Sequence, residues 1–83
     1  MYFPDETLEM PGPHPISGRE LVRKLERVGF RVVRQKGSHM ILRRDVEPAL
    51  TVCVPDHREL KRETLQNILR HIHLTRSDLD RLG

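Results

Sequence analysis

The chain has 83 residues, enough for one small domain near the size at which a core stops being self-sufficient. Only 36% of it is apolar, and with two Phe, one Tyr and no Trp the core must be built from Leu, Ile and Val. A single cysteine, Cys53, excludes an internal disulfide, and no apolar run approaches the roughly 18 residues of a membrane span.

The start of the chain has neither a basic n-region nor an apolar h-region, so the expectation is a soluble, cytoplasmic protein with no membrane partner. The formal net charge is +3, but it is polarised. Residues 17–44 hold nine Lys and Arg against two acids, whereas residues 45–83 sum to −1. Such a footprint suits a polyanion. The few aromatics leave little for base stacking, so an RNA contact is expected to be electrostatic and aimed at the backbone.

Residues 1–15, with Pro4, Pro11, Gly12, Pro13 and Pro15, cannot sustain a helix or a central strand. They read as a disordered acidic extension ahead of a domain over 16–83. The alternative reading is that Asp5, Glu6 and Glu9 fold over the basic face.

A helix is predicted at about 18–28. Ser17 and Glu20 form a capping box, Ile16 and Leu21 a hydrophobic staple, and Leu21, Leu25 and Val28 one apolar stripe. Gly29 fits the left-handed position after the helix, with Phe30 packing back on Leu25. Phe30 to Gln35 then alternates as a strand, with Phe30 and Val32 inward. Lys36-Gly37 makes a turn, and Ser38 to Arg43 returns with Met40 and Leu42 on one face and His39, Ile41 and Arg43 on the other. After a loop at 45–48, Leu50, Val52 and Val54 form the inward set of a third strand ended by Pro55.

A second long helix is predicted from about Lys61 to Ile72, with Leu65, Ile68, Leu69 and Ile72 in one stripe. Thr75 and Asp78 open a short terminal helix offering Leu79 and Leu82. The order is α-β-β-β-α plus a short helix, an α+β two-layer domain with both long helices on one face of an antiparallel sheet. The other face, with His39 and Arg43, is left for a partner.

His39 is the leading candidate for chemistry. It follows a glycine turn, stands in the most basic stretch and shares a face with Arg43. Cleaving a phosphodiester needs a proton carrier at one oxygen and cationic or amide donors at the others. A lone histidine among basic residues supplies both when the nucleophile is the RNA's own 2′-OH or a positioned water. An idle strand histidine is the plain alternative. Metal chemistry is less persuasive. His71 and His73 point to different sides of a helix, and no C-x-x-C, H-E-x-x-H or acidic cluster occurs. His57, after Pro55-Asp56, reads as an ordering residue in a turn. Ser38 and His39 face opposite ways and make a poor dyad, and Cys53, between Val52 and Val54, is a poor nucleophile.

Taken in order, Ser17-Gly18-Arg19-Glu20-Leu21, Leu25 with Gly29-Phe30, and Arg34 with Gly37-Ser38-His39 make a pattern. It continues through Val54-Pro55 with His57 to Thr64-Leu65 and Ile68-Leu69-Arg70. Over about residues 14–82 this resembles the HicA (YcfA-like) family of bacterial mRNA interferase toxins. The resemblance implies a double-stranded-RNA-binding-domain-like fold, metal-independent and cofactor-free cleavage of mRNA, and a HicB-like antitoxin that blocks the active face. It places the family's essential histidine at His39. The chain departs from the family in its N-terminal extension, in Glu63 where many members have Gly, and in Ile72-His73 where a small pair is common.

The sequence thus supports a small RNA endonuclease with His39 as general acid/base. Arg34, Lys36, Gly37, Ser38 and Arg43 are the phosphate-binding candidates, and Arg23 and Lys24 are steering charges. The rivals are a non-catalytic RNA-binding module on the same surface and a protein-interaction domain using the sheet edge.

Overall fold

The computed structural model describes residues 15–82. The acidic extension expected over 1–15 lies, apart from Pro15, outside the described residues. The elements in chain order are α1 (Gly18–Glu26), β1 (Arg31–Lys36), β2 (His39–Arg44), β3 (Leu50–Pro55), α2 (Arg62–His71) and α3 (Arg76–Arg81). The strands form one antiparallel sheet in the order β1-β2-β3, the arrangement expected of a double-stranded-RNA-binding-domain-like fold.

Local chemistry sets the helix ends. Ser17 Oγ accepts from the Glu20 amide at 3.0 Å, and Glu20 Oε1 accepts from the Ser17 amide at 3.1 Å, closing the capping box. At the other end, regular α-geometry stops at Glu26 rather than at Val28, because the last turn tightens into three-residue bonds. Gly29 then takes φ +99, which lets the Phe30 amide reach back to the Leu25 carbonyl at 3.1 Å. α3 repeats the opening device, with Thr75 and Asp78 in a second capping box.

One face of the sheet is buried. Met40 and Leu42 of β2 and Val52 and Val54 of β3 meet the stripes of α1 (Leu21, Val22, Leu25) and α2 (Leu65, Ile68, Leu69). Ile16, Phe30, Leu60, Ile72 and Leu79 close the ends of this core, which holds no buried polar residue among the described residues. Both long helices therefore cover the same side, as expected.

Strand β1 departs from expectation. Val32 lies opposite Leu42 and so shares the helix-facing side, but as part of an edge strand it remains 40% exposed. Lys36 is the last residue of β1, not part of the turn, which is Gly37-Ser38 alone. Gly37 carries φ +58 at the first of the two loop positions, the conformation a tight hairpin takes from glycine.

Candidate nucleic-acid interface

The exposed face of the sheet is the candidate site, and its composition follows from the strand register. His39 opens β2 and pairs with Lys36 on one side and Pro55 on the other. Paired residues on neighbouring strands point the same way. His39, Ile41 and Arg43 thus share the solvent face with Pro55, Cys53 and Thr51 of β3.

On β1 the register is interrupted. Val32 pairs with Leu42 but Arg34 pairs with Ile41, so Val33 is an extra residue, a β-bulge. The bulge switches the phase of the strand and turns Arg34 and Lys36 to the His39 face. Lys36 stands directly opposite His39, and Arg34 is one pair further along. Among the described residues, none of these three side chains makes a hydrogen bond or ion pair, so their donors are free for a ligand. Gly37 has open space around its α-carbon, which allows close approach of a backbone at the hairpin tip, with Ser38 exposed beside it.

Arg43 lies on the same face but four residues along β2, about 13 Å from His39 at strand spacing. Its Nε is 2.9 Å from Asp45 Oδ1, and Arg31 reaches the other oxygen of the same carboxylate at 2.8 Å. These two guanidiniums hold the Asp45 carboxyl below its usual range, the hydrogen bond from Arg31 contributing most. Arg43 is thus engaged by Asp45 and stands well away from His39 along the strand.

Arg23 and Lys24 belong to the other layer. With Arg27, Glu20 and Leu82 they line a shallow groove on α1, where Lys24 Nζ donates to the Leu79 carbonyl at 3.3 Å. They therefore stand in the helix layer, away from the sheet face that carries His39.

His57 lies at the same end of the domain as His39. Its main-chain carbonyl accepts from the Gly18 amide at 2.9 Å. Its neighbour Asp56 was not singled out from the sequence. The Asp56 carboxylate accepts from Arg19 Nε and Nη2, both at 3.1 Å, and this fork lowers its pKa more than any other contact. Nothing local signals the pair, whose members are 37 residues apart. Among the described residues, no three His, Cys, Asp or Glu side chains gather as metal ligands. No helix among them is long and apolar enough to cross a membrane.

The decisive comparison is with known families. Residues 18–74 match the family described as the HicA toxin of bacterial toxin–antitoxin systems. The chain belongs to the HicA toxin family. The match runs from the first residue of α1 to Leu74, just beyond α2, and so contains the hairpin, the bulge and all of the exposed sheet face. A search of curated proteins finds no match. Membership makes the chain a toxin of a toxin–antitoxin system.

Proposed function

We propose that this HicA toxin is a metal-independent mRNA endonuclease acting in the cytoplasm, with His39 as its general acid/base. The observation that carries the reading is the exposed His39 directly opposite an unpaired Lys36, in the most basic part of the chain. A phosphodiester laid along β2 has one non-bridging oxygen within reach of Lys36 and another toward Arg34. The two cations offset the charge that builds on phosphorus-bound oxygen as the bond breaks. The imidazole transfers a proton at the attacking or the leaving oxygen. The nucleophile is the RNA's own 2′-OH or a water, so no covalent intermediate with the protein is needed. Gly37 and Ser38 let the RNA backbone approach the turn closely.

A HicB-like antitoxin silences such an enzyme most directly by covering this face, whose free cations would accept acidic side chains as readily as phosphates.

The test is His39→Ala. Its side chain lies on the face opposite Met40 and Leu42, so truncation opens no core cavity and folding should persist. Cleavage of RNA, measured with chelator present, should fall by about 10²–10⁴-fold, the usual worth of a positioned proton carrier, with RNA binding retained. Growth inhibition should be lost in parallel. Parental cleavage by the His39→Ala protein would replace the nuclease with a non-catalytic RNA-binding module.

A further inference from the structure

His39 is the first residue of its strand, next to a two-residue turn, where a strand has least to hold it. On the β3 side its partner is Pro55, which has no amide hydrogen to give. The bond that ties the turn to β3 comes from the next residue, with the Asp56 amide donating to the Ser38 carbonyl at 2.6 Å. The placing of His39 therefore depends on where Asp56 is held.

Asp56 is held by α1. Arg19, in the first turn of that helix, grips both carboxylate oxygens with a planar fork. Beside it the Gly18 amide donates to the His57 carbonyl, and a β-carbon at Gly18 would collide with the Pro55 carbonyl. The helix start thus seats directly against Pro55-Asp56-His57. The contact is specific in shape as well as charge.

Resting on the nuclease reading above, we propose that Arg19 and Asp56 form a positioning pair, which sets His39 through the Asp56–Ser38 bond. Arg19 is 71% exposed, so a direct contact with RNA is the competing role. The two roles differ in chemistry. An RNA-binding Arg19 is restrained by Asp56, so Asp56→Asn would free it and strengthen binding. A positioning Arg19 needs Asp56, and the conservative Arg19→Lys, which keeps the charge but loses the fork, would fail almost as badly as Arg19→Gln.

The experiment measures RNA cleavage by the parental protein, Arg19→Lys, Arg19→Gln, Asp56→Asn and the exchange Arg19→Asp/Asp56→Arg. The three single variants should lose about ten- to a hundred-fold in kcat with KM unchanged, the scale of a misplacement of about 1 Å, and the exchange should recover part of it. In the free protein, amide exchange at Asp56 should quicken and the ring signals of His39 should shift, with the amides of Leu42 and Val54 unaffected. This second readout does not need cleavage, so it stands even if the nuclease reading falls. A change in KM alone, tighter RNA binding by Asp56→Asn, or undisturbed Asp56 exchange and His39 signals would overturn the positioning pair.

Discussion

Lys36 faces His39 across the β1–β2 ladder because Val33 is an extra residue in β1. Counted from the buried Phe30, unbroken alternation would turn Arg34 and Lys36 toward the helices and leave Val33 and Gln35 beside the histidine. The bulge reverses this after Val32 and moves two cations onto the solvent face at the end where His39 stands. One inserted residue thus sets the composition of the candidate site.

Lys36 and Arg34 should therefore dominate the salt dependence of RNA binding. Each phosphate neutralised adds to the slope of log affinity against log salt, by about 0.7 for a single strand and about 0.9 for a duplex. Lys36→Gln and Arg34→Gln should each lower the slope by about that amount. Arg81→Gln, on α3 beside Asp78, should leave it nearly unchanged. Equal slopes for Lys36→Gln and Arg81→Gln in a binding titration would remove this face from the interface.

Most of the fold was legible because it rests on local chemistry. Ser17 with Glu20, Gly29 with Phe30 and Thr75 with Asp78 are contacts within five residues, and each formed as its residue types dictate. Met40, Leu42, Val52 and Val54 were equally readable, since alternation in unbroken strands fixes the face. The bulge was not, because Val32-Val33 gives no sign of which valine is the extra one. Nor was the exposure of Val32, which depends on how far the helices reach over an edge strand. Arg19 with Asp56 was hidden for a third reason: the pair exists only once α1 has met the end of β3. The candidate histidine and the cations Arg34 and Lys36 were visible in the sequence, whereas the bulge that turns those cations to its face and the Arg19–Asp56 contact were the part that folding had to supply.

Among the described residues, the four carboxyls whose pKa values are lowered in the fold make stability depend on pH with a definite sign. Glu20 and Asp78 are lowered chiefly by the backbone amides they cap, Asp56 by the Arg19 fork and Asp45 by Arg31. A lowered folded value means the unfolded chain binds more protons across the carboxylate range. The stabilisation is then complete above the unfolded values and is lost as pH falls through the folded ones. Thermal melts at constant ionic strength should show a midpoint that is level near neutral pH and declines in acid. Glu20→Gln with Asp78→Asn keeps capping geometry without the titration, so its midpoint should decline less steeply. An acid limb of parental steepness in that double variant would show that the caps do not carry the effect.

His73 offers a gain in stability at a position the family resemblance had marked as unusual. It follows α2 with φ +61, in the left-handed region that side chains with a β-carbon avoid. The backbone there repeats the motif that ends α1. The Leu74 amide donates to the Leu69 carbonyl at 2.9 Å and the His73 amide to the Arg70 carbonyl at 3.3 Å. Leu69 is buried and Leu74 packs against the core, as the residue after such a cap commonly does. Glycine holds the corresponding place after α1 without strain. His73→Gly should relieve a conformational cost of about 1–2 kcal/mol, offset in part by the greater freedom glycine gives the unfolded chain. A net gain of about 0.5–1 kcal/mol would raise the melting midpoint by a few degrees in a domain of this size. His73→Val, whose branched β-carbon fits the left-handed region worse, should lower it. If both variants melt with the parental protein, α2 ends without strain at His73, and the cap contributes nothing that glycine could improve.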